Sequence, residues 1–278
     1  MSEFKLPKKI FVVVDPSQDE PLALQRSINR ALIEDYVGAD EFPEQAVFLS
    51  VDMDNTDTSA SNPNMRRDAD WFRTKILAPL EASQLPYEVE LSWSDDWYGA
   101  ISEGITRHQP GVIIVPLSRK PSPAERIFND SMWRLMRTIT CPVVIAQAKG
   151  TARRKKILAA VHFQSDKEEY KVLNDSIIEA AQANAEAYGG ELYIVNAYSD
   201  SLNYPDRAQL AHKTGVDNSR IFVKSGDADD VISAIAKEVD ADLLVLGARR
   251  RTSRWRGHTA ERIMSKVDCD MLVVNRGI

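Results

Sequence analysis

"VKSGDADDVISAIAKEVDADLLVLGARRR" occupies Val223–Arg251, and how it folds decides how the whole chain is read. It begins inside one apolar run, "RIFVKS" (Arg220–Ser225), and reaches a second, "DLLVLG" (Asp242–Gly247). Gly226 and Asp227 end the first run, and the residues between the two carry apolar side chains at helical spacing. Strand, amphipathic helix, strand is the repeating unit of a parallel sheet, because parallel neighbours need a long crossover. Each run has an unbroken apolar centre, Ile221–Val223 and Leu243–Leu246, rather than an alternating pattern, so a sheet covered on both faces is expected.

Outward from this stretch the same pattern recurs. The second half offers strands at Lys155–His162, Glu191–Tyr198, Arg220–Ser225, Asp242–Gly247 and Met271–Asn275. The first half offers Lys9–Asp15, Ala46–Met53, Tyr87–Trp93, Val112–Leu117 and Pro142–Gln147. Helical segments separate them. Pro21 sits at a helix entry, and Leu22, Ile28, Ala31 and Leu32 are spaced for one face of that helix. Further helices are expected in 66–83, 94–108, 122–138 and 167–190, the last stopped by Gly189 and Gly190. The acids of "SDDW" (Ser94–Trp97) sit at a helix start, where they cap the chain and suit the dipole.

The halves align strand for strand. Ile10 matches Ile157, Pro116 matches Gly247 and Cys141 matches Cys269, at offsets of 147, 131 and 128. Most of the shortening falls opposite "DNTDTSASNPNMRR" (Asp54–Arg67), which reads as a polar loop insertion. The chain is therefore expected to form two tandem α/β domains, 1–148 and 149–278, each with a five-stranded parallel sheet. They are joined through the basic linker "AKGTARRK" (Ala148–Lys155).

Composition narrows the function classes. The 278 residues carry a net charge of −6, which argues against a general nucleic-acid surface. The N-terminus has only a short apolar stretch and no run spans a bilayer, so a cytoplasmic protein without membrane association is expected. Cys141 and Cys269 have no histidine at ligand spacing and read as buried, inert thiols. Against this acidic background, five arginines fall between Arg249 and Arg256, directly after an apolar strand. Parallel sheets bind ligands outside the carboxyl ends of their strands, which is where this loop lies.

Val223–Arg251 resembles the universal stress protein family, in its strand ending on Gly-Asp, its amphipathic helix and its "ADLLVLG" strand. "TAERIMSKVDCDMLVV" (Thr259–Val274) resembles the last helix and strand of that family, and "KKIFVVVDPS" its first strand. "RIFNDSMWRLMRTITCPVVIA" is similar to the first domain of the tandem bacterial members. The resemblance implies an adenine nucleotide alpha hydrolase-like fold with strand order 3-2-1-4-5. It also implies two domains packed as an intramolecular pseudo-dimer through antiparallel last strands, which would keep the two cysteines too far apart for a disulfide.

Some members of the family bind ATP with Mg²⁺ through a glycine loop that ends in glycine and Ser or Thr. Glycines let backbone amides approach phosphate, and the helix that follows favours anions. In the first half the corresponding positions are Pro116, Arg119, Asn129 and Asp130, with no glycine. Asp15 keeps the strand-end acid there, and Val51 holds the base-contact position. The second half keeps Gly247 and Gly257, but Arg250 replaces the middle glycine, and His258 and Thr259 follow. His162 stands where the strand-end acid would be, and Ala197 holds the base-contact position. Arg249, Arg250, Arg251, Arg254 and Arg256 are suited to replace the missing amides, because guanidinium groups bind phosphate in two-pronged fashion.

The expected function is thus a stress-response protein whose second domain binds a nucleotide or another phosphorylated small molecule. No residue stands out as a base for ATP hydrolysis, and no Ser–His–Asp set with a nucleophile elbow is present. The alternative is a non-nucleotide protein that holds an apolar or anionic metabolite or serves as a partner scaffold. His162 and His258 read as polar pocket walls, not zinc ligands, and a single Trp255 among arginines is weak support for nucleic acid. Trp71, Trp93, Trp97 and Trp133 read as core or as a wall between domains. Whether two chains form a homodimer is left open.

Overall fold

The computed structural model describes residues 8–15, 18–32, 44–51, 69–93, 96–117, 133–136, 138–151, 153–200, 202, 204–248 and 259–275. The chain divides into two compact units, one within Pro7–Ala148 and one in Lys149–Ile278.

The first unit contains β1 (Lys9–Val14), α1 (Leu22–Ala31), β2 (Glu44–Val51), α2, β3 (Tyr87–Trp93), α3 (Trp97–His108), β4 (Val112–Pro116) and β5 (Val143–Ala146). α2 comprises Ala69–Trp71, a π-helical stretch Phe72–Leu77, and Ala78–Ser83. The wide turn immediately precedes Pro79, whose ring would crowd the carbonyl of Lys75 in a regular α-helix. The strands are parallel in the order β3-β2-β1-β4-β5. Ile10, Phe11, Val12, Val13, Ile113, Val143 and Val144 are fully buried, as strands covered on both faces must be.

The second unit contains β6 (Lys156–Val161), α4 (Glu168–Tyr188), β7 (Glu191–Tyr198), α5 (Arg207–Thr214), β8 (Ile221–Ser225), α6 (Ala228–Glu238), β9 (Leu243–Ala248), α7 (Thr259–Met264) and β10 (Asp270–Asn275). Its parallel order is β8-β7-β6-β9-β10. Numbered within each unit, both sheets run 3-2-1-4-5.

Strand register makes the internal repeat explicit. Ile10 lies beside Gln45 and Val112, and Ile157 lies beside Leu192 and Leu243. Those partners repeat the offsets of 147 and 131. Ile113 beside Val143 and Leu244 beside Met271 repeat the offset of 128. Val47 beside Val89 and Ile194 beside Ile221 give 132 for the third strands, so 15 residues (147 less 132) are lost between the second and third strands. The polar segment 54–67 falls in that interval and lies outside the described residues.

Helix ends follow from local chemistry. Asp96 caps α3 by accepting the Gly99 N–H at 3.0 Å, the role expected for "SDDW". Gly189 closes α4 in the left-handed region, at φ 57°. α5 has no forerunner in the sequence reading. It is eight residues long and buries only Leu210 and Thr214, too little periodicity to notice, although Asp206 caps it and Gly215 ends it.

α1 corrects the expected face. Its buried residues are Ala23, Leu24, Arg26, Ser27, Arg30 and Ala31, whereas Leu32 is exposed and Leu22 and Ile28 are half-buried. Arg26 donates to the Gln147 carbonyl at 3.2 Å, just past β5. Two arginines can sit on a buried helix face because their methylene stems pack and the guanidinium finds acceptors. An apolar count alone places the stripe on the wrong side.

Trp71 and Trp133 are half-buried, and the Trp71 indole donates to the Asp19 carbonyl at 3.2 Å. The side chains of Trp93 and Trp97 lie outside the described residues. Cys141 and Cys269 are free thiols; burial pushes the first up to about 11 and the second up to about 12, which keeps both protonated and unreactive. Among the described residues no helix is long and apolar enough to cross a membrane.

Candidate functional site

In the second unit β6 and β9 are adjacent, and the chain leaves them towards opposite edges of the sheet, β6 towards β7 and β9 towards β10. A crevice opens at such a reversal, outside the carboxyl ends of the strands. β9 ends at Ala248, so Arg249 begins the segment that leaves this point. Arg249, Arg250, Arg251, Arg254, Arg256, Gly257 and His258 lie outside the described residues. Thr259 opens α7.

The described part of the rim is built from amide side chains. The Asn174 carboxamide, on α4, accepts the His162 N–H and donates to the His162 carbonyl, both at 2.9 Å. This pair of bonds fixes the backbone immediately after β6. The Asn196 carboxamide, on β7, accepts the Phe163 N–H at 2.7 Å and donates to Gln164 Oε1 at 2.8 Å. Gln164 Nε2 in turn donates to the Ala197 carbonyl at 2.7 Å. Three consecutive residues, 162–164, are thereby held. Asn174 and Asn196 are both buried, so leaving their polar atoms unpaired would cost roughly 1–3 kcal/mol each.

His162 and Ala197, the two nucleoside-end residues named from the sequence, thus lie on one rim. The His162 ring packs on Tyr170 with centroids 4.6 Å apart, and Ala197 is buried. A pocket of about 340 Å³ opens beside them, lined by His162, Gln164, Lys167, Tyr198 and Asp200 among others. Lys167 gives it one positive side chain, and Asp166 and Asp200 give it two negative ones.

Gly247 has a different neighbour from the one the loop signature suggests. A Cβ there would stand 2.6 Å from Leu173 Cγ and within 2.8 Å of both its methyl carbons. The glycine therefore lets α4 lie close against β9, a packing role. Gly247→Ala is expected to lower stability by about 1–3 kcal/mol, as overpacking does. Denaturant unfolding checks this, and a loss of the expected size in Gly247→Ala that is relieved in Gly247→Ala/Leu173→Ala would identify Leu173 as the cause.

In the first unit Asp15 follows β1 and is buried, at 2% exposure, and its carbonyl accepts the Gln18 N–H at 3.2 Å. Val51 ends β2, and its side chain lies outside the described residues. Pro116 ends β4, while Arg119, Asn129 and Asp130 lie outside the described residues.

α7 is tied to α6. Lys266 bonds Asp229 at 2.6 Å and Asp230 at 2.5 Å, and Arg262 lies 3.2 Å from Asp229. The hydrogen bond from Lys266 holds the Asp229 carboxyl below its ordinary value, with the Arg262 charge acting the same way. α7 and the residues just after it are therefore tied to the start of α6 by charge. Among the described residues no group of three or more His, Cys, Asp or Glu side chains could hold a metal ion.

The sequence reading missed Asn174, Asn196 and Gln164. A signal existed for one of them: Asn196 is the only polar residue among the inner positions of "ELYIVNAY".

Comparison with known proteins places this geometry. Residues 200–275 match the model of the universal stress protein family. The chain is 25% identical to the universal stress protein E homolog of Haemophilus influenzae, over 95% of this chain and 96% of that one. It is 23% identical to universal stress protein E of Escherichia coli K12, over 96% and 93% of the two chains. Among solved structures, a functionally unknown protein from Pseudomonas aeruginosa superposes with a TM-score of 0.75 at 21% identity, covering 97% and 93% of the chains. A universal stress protein from Archaeoglobus fulgidus does so with a TM-score of 0.68 at 16% identity, covering 97% and 96%.

Proposed function

We propose that this chain, which belongs to the universal stress protein family in its tandem form, serves the stress response by binding a phosphorylated small molecule in the crevice of its second unit. Position carries the reading. Arg249, Arg250 and Arg251 follow β9 directly, at the point where the sheet reverses beside β6. Arginines that follow such a strand end in sequence bring the chemistry of phosphate recognition to the end of a parallel sheet where ligands bind. ATP with Mg²⁺ is the first ligand to test, in a cytoplasmic protein that acts as a binder and not as a catalyst.

Two observations favour an anionic metabolite over a nucleotide as the second reading. Gly247 faces Leu173, so it is spoken for by packing, and the base-contact residue Ala197 already has its carbonyl bonded within the chain. The two readings separate in solution. At a hundred times its dissociation constant, a bound ligand raises stability by about 2.7 kcal/mol. The expected result is a rise in melting temperature with ATP and Mg²⁺ that weakens in Arg250→Ala and in Gly257→Asp. A rise with small phosphorylated acids and none with ATP selects the metabolite. No rise with either class overturns the anion site.

A further inference from the structure

The strand pairing of β6 and β7 runs from Lys156 beside Glu191 to Val161 beside Asn196 and then stops. β7 continues for two residues, Ala197 and Tyr198, which pair with Lys224 and Ser225 of β8 on its other side. On the β6 side the next hydrogen-bonding group of β7, the Ala197 carbonyl, has no strand to meet. Gln164 supplies the missing partner. Its Nε2 donates to that carbonyl at 2.7 Å, and its Oε1 accepts from Asn196 Nδ2 at 2.8 Å. Asn196 Nδ2 also reaches the Ala197 carbonyl, at 3.1 Å. A carbonyl oxygen has two lone pairs, and here both are engaged.

Gln164 also lines the pocket of about 340 Å³. Its carboxamide is planar and presents a donor and an acceptor side by side, the pattern a lactam or amidine edge would present. We propose that Gln164 is the specificity-determining residue of this crevice: it occupies the hydrogen-bonding edge at the end of β7, so a ligand with a planar donor–acceptor edge enters only by displacing it. A ligand held by charge alone meets no such competitor. At this edge the crevice therefore discriminates against a base edge. The rest of the rim does not depend on Gln164, because Asn174 holds His162 and Asn196 holds Phe163 without it.

This inference rests on the anion-binding reading, and the test separates the two. Calorimetric titration compares ATP·Mg²⁺, which has a base edge, with inorganic tripolyphosphate·Mg²⁺, which has none. In Gln164→Ala the affinity for ATP should rise about tenfold relative to tripolyphosphate, the worth of one hydrogen bond no longer contested. Gln164→Ser shortens the side chain while keeping a polar atom, and should move the ratio in the same direction if the alanine variant folds poorly. Tripolyphosphate binding with an unchanged ratio in both variants overturns the role of Gln164 and leaves the anion site standing. Binding of neither ligand to any of the three proteins overturns both.

Discussion

Replacing Arg154 with methionine should cost the second unit about 3–5 kcal/mol, because it strands a buried carboxylate. Arg154 is 2% exposed, and its Nη2 lies 3.2 Å from Asp270 Oδ2, on a residue with no exposure at all. Burial opposes the guanidinium charge. The Asp270 carboxylate, through its charge and its hydrogen bond, acts the other way, and the group stands above its ordinary value. The guanidinium carbon also stands 5.4 Å from the centre of the Tyr188 ring. Remove the arginine and the Asp270 charge keeps its desolvation cost but loses the guanidinium that offsets it. Remove both charges, as in Arg154→Met/Asp270→Leu, and most of the loss should return, since a buried pair replaced by apolar side chains is often neutral. Denaturant midpoints at constant slope measure the two variants. A loss below about 1 kcal/mol in the single variant, or a double variant no better than the single, would show that the pair is not what holds this corner.

That residue also shows where sequence reading reached its limit. "AKGTARRK" reads as a solvated basic linker, yet Arg154 is buried and Asp242 accepts the N–H groups of Lys155 and Lys156 at 2.7 and 2.9 Å. Nothing local marks Arg154 off from Arg153, which is exposed; the difference comes from Asp270, 116 residues away. The inner strands were legible because complete burial demands unbroken apolar runs, and register then preserved the repeat offsets across both sheets; the edge strand β3 has no buried side chain among its described residues and no such run. Tyr87–Trp93 and Glu191–Tyr198 were placed to the residue. The face of α1 was not legible, because buried arginines look like surface residues until their acceptors are known. At the candidate site, His162 and Ala197 were named through the resemblance, since strand ends are topologically fixed. The amides that join them were not. Asn174, Asn196 and Gln164 become partners only once β6 and β7 are paired and α4 is laid across them. Gly247 was legible as a glycine through the loop signature, but its contact with Leu173 was not, because that contact needs α4 laid against β9.

The two glycines that end α4 should lose unequal amounts of stability on substitution by alanine, and the difference identifies what each is for. Gly189 has φ 57° and nothing within 4 Å of where a Cβ would stand. Its substitution by alanine meets only the cost of the left-handed conformation, about 1–2 kcal/mol. Gly190 has no such backbone demand, but a Cβ there would stand 2.8 Å from the carbonyl oxygens of both Arg154 and Lys155 and from Ile157 Cδ1. Two of those three atoms are backbone. The chain there is pinned by the bond from Glu191 N–H to the Lys155 carbonyl at 2.6 Å and by Asp242 on the next two amides. It cannot retreat without opening the start of β6, and the adjoining Arg154–Asp270 pair would move with it. Gly190→Ala should therefore cost about 3 kcal/mol, at the upper end of overpacking, and Gly190→Asn no less. Gly189→Asn should recover much of the loss of Gly189→Ala, because asparagine tolerates the left-handed region. Unfolding of the four variants under one condition decides the matter. If Gly190→Ala lost no more than Gly189→Ala, the close approach of α4 to the entry of β6 would not be what the second glycine serves.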